Sequence, residues 1–147
     1  MSVEIAKLVR TDTGLATSLA MSVSRLSRRL RQERGSTLTA TQLSVLGTLR
    51  RHGSLTAGAI AAIEKVQPPS MTRTLGCLVD LGLVGREPDP TDGRQIVIHL
   101  SEEGEHTLAA ERKRRDRWLA TRLRELDHAD RDVLRSAAVV LDRLAQE

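Results

Sequence analysis

The sequence predicts a mainly α-helical fold that carries a small β-wing, and three observations lead there. The chain has 147 residues, 39 % of them hydrophobic and 29 % charged, which fits a single domain over residues 1–147 with a sizeable core. It contains no Phe, no Tyr and one Trp, so Leu, Val, Ile, Ala and Met must fill that core, a palette that favours helices over a sandwich or barrel. Apolar residues recur at helical spacing along most of the chain and switch to alternation only between positions 83 and 100.

Leu15, Leu19, Val23, Leu26 and Leu30 form one stripe of a long amphipathic helix, which Gly35 is placed to stop. Thr39 followed by Gln42 reads as a capping box, and Leu38 with Leu43 as a hydrophobic staple, so a second helix starts at Ala40 and carries Leu43, Leu46 and Leu49 as far as Gly53. Ser54, Leu55 and Thr56 form a short connector in which Thr56 caps a third, small helix with Ile60 and Ile63 inward. Gln67, Pro68, Pro69 and Ser70 then break the chain: a residue before Pro leaves the helical region, whereas Pro suits the first turn of a new helix. The fourth helix runs from about Pro69 to Leu81, with Met71, Leu75, Leu78 and Val79 inward and Gly82 as its stop. Its opposite face holds Pro69, Arg73, Cys77 and Asp80, with Ser70 beside them.

Past Gly82 the alternation puts Ile96, Ile98 and Leu100 on one face of a strand and Val97 and His99 on the other, with residues 83–87 as the partner strand. The Asp92-Gly93 pair between them signals a hairpin turn, and Pro88 and Pro90 protect its edge. A two-stranded ribbon is marginal alone and must lean on the helices. Ser101 caps the next helix, which Glu102, Glu103 and Glu105 open with negative charge and which passes through Leu119, Leu123 and Leu126. Asp127 caps a last helix whose Leu134, Ala137, Leu141 and Leu144 keep three-four spacing suited to helix-on-helix packing. Helix, helix, short strand, helix, helix, ribbon is the order of a winged helix-turn-helix with extra helices before and after it.

Such a unit buries one face of the helix after the turn and holds small polar groups and Arg at its N-terminal end, where free backbone amides also favour phosphate. Gln67, Ser70 and Arg73 lie at that end. A guanidinium binds guanine through two parallel hydrogen bonds, worth about 1–3 kcal/mol of base discrimination. Arg94 sits at the ribbon tip just after Gly93, where a long cation enters an adjacent minor groove, and Asp92 is placed to hold its guanidinium.

The stretches Val66-Gln67-Pro68-Pro69-Ser70-Met71-Thr72-Arg73-Thr74-Leu75, Leu81-Gly82-Leu83-Val84-Gly85-Arg86, Asp89-Pro90-Thr91-Asp92-Gly93-Arg94 and Ile98-His99-Leu100-Ser101-Glu102-Glu103-Gly104 together resemble the multiple-antibiotic-resistance regulator (MarR) family. The motif-bearing part covers residues 38–104, and the flanking helices match in order and length. The resemblance implies a homodimer in which residues 1–35 and 105–147 interdigitate as a helical dimerisation region, Leu134, Ala137, Leu141 and Leu144 among them. It leaves two lobes, each residues 38–104, to grip one pseudo-palindromic site on double-stranded DNA. It places Gln67, Pro68, Pro69, Ser70, Thr72 and Arg73 at the recognition helix and Asp92, Gly93 and Arg94 in the wing. It also implies a repressor released by a small phenolic or other lipophilic effector, with no residue signature for the effector pocket and no cofactor.

Composition narrows the alternatives. The net charge of +4 divides as seven Lys/Arg against three Asp/Glu over residues 1–37, six against five over 38–100, and ten against eleven over 101–147, so DNA binding by the middle segment depends on a few placed arginines. The runs Arg25, Arg28, Arg29, Arg31, Arg34 and Arg112–Arg117 read as solvated helix faces. The lack of aromatic platforms argues against single-strand and RNA-recognition modules. One cysteine, Cys77, rules out an internal disulfide, and His52, His99, His106 and His128 lack metal-ligand spacing. No phosphate loop, nucleophile elbow or paired-His motif supports an enzyme. No apolar run reaches a membrane span and the acidic start is unlike a signal peptide, so a cytoplasmic protein is expected. The competing readings are a dimeric protein-interaction module that keeps the winged fold, and a regulator responsive to redox at Cys77 or to a metal.

Overall fold

Local capping chemistry sets most element boundaries in the computed structural model, which describes residues 2–146. In chain order these are α1 (Ser2–Leu8), α2 (Asp12–Gln32), α3 (Ala40–His52), β1 (Leu55–Thr56), α4 (Ala57–Glu64), α5 (Pro68–Asp80), β2 (Val84–Pro88), β3 (Ile96–Leu100), α6 (Glu102–Glu125) and α7 (His128–Gln146). They gather into two compact units, one holding residues up to 33 and from 114 onward, the other residues 34–113. Helix α6 runs from the second unit into the first.

In the 34–113 unit, Thr39 and Gln42 form the reciprocal capping box, Thr39 accepting from the Gln42 amide at 3.2 Å and the Gln42 side chain from the Thr39 amide at 2.8 Å. Gly53, with φ 78°, ends α3, and Gly82, with φ 72°, follows α5; this left-handed backbone carries no penalty where there is no Cβ. Thr56 caps α4 by accepting from the Ala59 amide. The core is Val45, Leu46 and Leu49 of α3, Ile60 of α4, Met71, Leu75 and Leu78 of α5, and Val84 and Ile98 of the strands, with Leu108 closing it from α6. It contains no aromatic residue.

The β ribbon gains a third strand. Leu55 and Thr56 pair antiparallel with Ile98 and Val97, giving the order β1-β3-β2, so the short strand between the second and third expected helices joins the sheet and supplies the support that a two-stranded ribbon lacks. Strand β3 consequently buries both Val97 and Ile98, while Ile96 is 51 % exposed; the simple alternation of one buried and one open face does not hold. The Asp92-Gly93 pair does open a turn, which runs over Gly93 and Arg94 at the end of the connection between β2 and β3. Asp89–Gln95 form a longer loop, closed by the Asp89 amide on the Gln95 carbonyl and the Gln95 amide on Asp92, and Gly93 does not adopt positive φ. Ile63, expected inward, is 44 % exposed, since α4 ends one residue later and only Ile60 and Ala61 reach the core.

In the other unit, α2 is capped by Thr11, which accepts from the Gly14 amide at 3.1 Å, and α1 precedes it as a helix that the apolar spacing does not announce. Helix α2 stops at Gln32 with Glu33 as C-cap, short of the Gly35 expected to end it; the Gly35 amide instead donates to the Glu111 carboxylate at 3.2 Å, within the 34–113 unit. Asp127 caps α7 through the Asp130 amide at 2.8 Å. Trp118 of α6 is half-buried, with the Arg29 guanidinium 4.6 Å and the Arg122 guanidinium 5.7 Å from its ring centroid, so the single aromatic residue carries two cation–π contacts. Neither α2 nor α7 buries any residue. No helix among the described residues is long and apolar enough to cross a membrane.

Candidate nucleic-acid interface

Helix α5 divides into two faces. Met71, Leu75 and Leu78 are buried, and Pro69, Ser70, Arg73, Cys77 and Asp80 are exposed. The three-four spacing of the aliphatic residues dictates this division, because burying that stripe against α3 and α4 forces the residues between outward.

The start of α5 is unusual in its donors. Gln67 is the N-cap in extended conformation without a side-chain cap, and Pro68 and Pro69 occupy the first two positions. A helix normally offers several free amides at its first turn, but the two prolines have none and the Met71 amide bonds to the Gln67 carbonyl at 3.0 Å. Among the described residues, the amides of Gln67 and Ser70 are therefore the backbone donors left there for an external acceptor. The paired prolines trade phosphate-binding amides for a rigid entry into the helix.

Arg73 follows one turn after Pro69, and its guanidinium has no hydrogen-bond or ion-pair partner among the described residues. Thr72 lies on the flank, where its hydroxyl donates back to the Pro68 carbonyl at 3.0 Å. The Thr72 side chain also lines a cleft of about 270 Å³ bounded by Ala57, Leu75, Arg86, Ile96 and Ile98, between α5 and the sheet. Arg86 of β2 is the residue here to which neither helical nor strand spacing drew attention, because only the tertiary fold brings it opposite Thr72.

The wing tip is held by short carboxylate turns. Asp89 accepts from the Thr91 amide at 2.9 Å and from the Thr91 hydroxyl at 2.8 Å, which together hold its pKa below the ordinary aspartate value. Asp92 accepts from the Arg94 backbone amide at 3.1 Å. Asp92 thus fixes the Arg94 main chain and not the guanidinium, as the sequence suggested, and the Arg94 side chain is exposed without a partner among the described residues. Gln67, Pro68, Pro69, Ser70 and Arg73 on α5, and Asp92, Gly93 and Arg94 on the wing, are all exposed parts of one unit.

Leu134 and Leu144 of α7 are 44 % and 59 % exposed, with Ala137 and Leu141 of intermediate exposure along the same stripe. Cys77 is exposed on the outer face of α5. Among the described residues no group of three or more His, Cys, Asp or Glu is arranged to hold a metal ion.

Comparison with known proteins adds to this geometry. The MarR family profile matches residues 38–96. An uncharacterised HTH-type transcriptional regulator of Mycobacterium bovis is 45 % identical over 141 residues, covering 95 % of this chain and 99 % of that protein. The crystal structure of a putative transcriptional regulator from Pseudomonas aeruginosa superposes with a TM-score of 0.84 at 34 % identity, covering 94 % of this chain and 98 % of that one. A mutant of S. aureus MepR bound to an oligodeoxyribonucleotide shares the fold, with a TM-score of 0.67 at 22 % identity over 88 % of this chain and 97 % of that one.

Proposed function

The chain belongs to the MarR family of transcriptional regulators, and from that premise we propose that it is a homodimeric repressor that binds a pseudo-palindromic operator in double-stranded DNA in the cytoplasm. Residues 38–104 form the DNA-binding lobe. Helix α5 enters the major groove with Gln67, Pro68, Pro69, Ser70, Thr72 and Arg73 at its leading end, and the wing residues Asp92, Gly93 and Arg94 follow the flanking minor groove. The observation that carries this reading is the exposed pair of guanidiniums without a partner among the described residues, Arg73 on α5 and Arg94 on a wing tip held by Asp89 and Asp92. MepR bound to DNA supports it by likeness of fold. Two-fold symmetry sets inverted half-sites about one helical turn, ~34 Å, apart.

Dimerisation through residues 1–35 and 105–147 is supported by helices that lack a core of their own. Helices α2 and α7 bury nothing, and Leu15, Met21, Val23, Leu26, Leu134 and Leu144 are each between 44 % and 59 % exposed, apolar side chains that a second copy would cover. Release by a small lipophilic or phenolic effector is supported by the cleft between α5 and the sheet. Its walls are apolar apart from Arg86 and Thr72, and an occupant there bears directly on α5. Differential binding of this kind is typically worth 1–3 kcal/mol of coupling.

The test is binding of the purified protein to a duplex from its own upstream region, by fluorescence anisotropy over a salt series, beside Arg73→Ala and Arg94→Ala. Sequence-selective binding that falls steeply with salt and is weakened in both variants is the expected result. Weak binding that neither variant changes, on that duplex and on random sequence alike, would instead favour a protein-interaction module.

A further inference from the structure

We infer that Glu64 is a positioning residue for sequence reading, a carboxylate clamp that sets the bearing of the recognition helix without touching DNA. The inference rests on the reading that the 34–113 unit binds duplex DNA. Glu64 is the last residue of α4, and its two carboxylate oxygens are both engaged by α3: Oε2 accepts from the Ser44 hydroxyl at 2.6 Å and Oε1 from the Thr48 hydroxyl at 2.5 Å. Residues 44 and 48 are one helical turn apart, so a single carboxylate bridges consecutive turns of one α3 face. A carboxylate only accepts, so both hydroxyls must donate and both rotors are fixed. Thr48 is itself buried, and the described residues offer its hydroxyl no other partner.

The position of the clamp in the chain gives it leverage. Lys65, the next residue, adopts φ 53° and ψ 44°, and among the described residues it is the one non-glycine with positive φ. That conformation is disfavoured for a residue with a Cβ and persists only where the surroundings over-determine it. Here the surroundings are the Lys65 amide on the Ala62 carbonyl, the Val66 amide on the Ala61 carbonyl, and the Glu64 clamp. Gln67, the N-cap of α5, follows two residues after Lys65. The direction in which Ser70 and Arg73 leave the turn is therefore decided within three residues of Glu64.

Base readout needs side chains held within about 0.5 Å and 10–20° of the productive geometry, whereas binding to phosphates is tolerant of orientation. Loosening this turn should consequently cost discrimination between sequences before it costs affinity for DNA in general. Loss of stability alone would not separate the two.

The experiment compares the full chain with Glu64→Ala, Glu64→Gln and the double variant Ser44→Ala/Thr48→Val, on the upstream duplex and on a random-sequence duplex, at a temperature where circular dichroism shows each folded. Glu64→Ala should lower affinity for the upstream duplex on the order of tenfold, the scale of lost charge-assisted hydrogen bonds, while affinity for random sequence stays within about twofold. Glu64→Gln, whose amide can accept from one hydroxyl and donate to the other, should recover most of the selectivity. Unchanged selectivity in folded Glu64→Ala, or a parallel fall on both duplexes, overturns the inference. If Glu64→Ala does not fold, the double variant decides, since it empties the clamp while nearly preserving volume; unchanged selectivity there also overturns it. If the parent chain itself does not distinguish the duplexes, it is the DNA-binding reading that fails. Amide exchange at Ser70–Arg73, expected to quicken in the clamp variants, then tests positioning alone, and unchanged exchange refutes it.

Discussion

The Ser101 hydroxyl donates to the Gly82 carbonyl across 2.6 Å, tying the residue that caps α6 to the glycine that follows α5. The same oxygen accepts from the Gly104 amide at 3.0 Å, and the Ser101 amide donates to the Leu83 carbonyl at 3.1 Å. Gly104 completes the latch by its lack of a side chain, since a Cβ there would lie 2.0 Å from the Leu83 carbonyl oxygen. The latch thus fixes the start of α6 against the end of α5 within the 34–113 unit.

Gly104→Ala should therefore be the costlier change at the latch. The clash is with backbone, not a movable side chain, and a loss at or above the roughly 1–3 kcal/mol of ordinary overpacking is expected from urea denaturation midpoints. Ser101→Ala, which removes a cap and a tether but adds no clash, should cost about 1 kcal/mol. Equal effects of the two would contradict the close approach.

The wing carries a pH signature at Asp89. Hydrogen bonds from the Thr91 amide and then the Thr91 hydroxyl hold its pKa below the ordinary value, so the ionised form is favoured in the folded wing. A carboxylate depressed on folding contributes its stabilisation in full above the unfolded value, near ~3.9, and loses it as pH falls through the lower folded value. Wing order should thus be constant at neutral pH and decline only in strong acid. Thr91→Val should raise the Asp89 pKa toward the ordinary value in an NMR titration; an unmoved titration would show that the Thr91 hydroxyl has no part in it.

Leu141→Arg, placed in the middle of the α7 stripe, should abolish the dimer and operator binding together. A charge in an apolar interface without a partner costs several kcal/mol, about a thousandfold or more in the association constant. Light scattering at fixed concentration checks the first half and anisotropy the second. A variant that stays dimeric would refute packing through α7.

Arg73 and Arg94 should fail in different ways. Arg73→Ala should cost about 1–3 kcal/mol at one base position and relax specificity there. Arg94→Ala should weaken binding more evenly across A·T-rich sequences and reduce the salt slope by about 1. Competition with single-base-substituted duplexes separates them; identical profiles would mean that both arginines contact phosphate only.

What the sequence determined by itself is what short-range chemistry controls. The capping box at Thr39 and Gln42, the caps at Thr56, Ser101 and Asp127, and the stop at Gly82 depend on residues within a turn of one another, and each is observed. The inner and outer faces of α5 follow from three-four spacing, which by itself puts Ser70 and Arg73 on the open side. The tertiary structure alone decided what depends on distant partners. Strand β1 exists because β3 is there to pair with it, and for the same reason Val97 is buried while Ile96 is not. Gly35 does not end α2, because its amide is engaged by Glu111, 76 residues away. Arg86 meets Thr72 across a cleft, and Glu64 meets Ser44 and Thr48, through packing that no periodicity encodes. Local propensity is written in neighbouring residues, whereas long-range contacts are chosen by which buried faces must share one core.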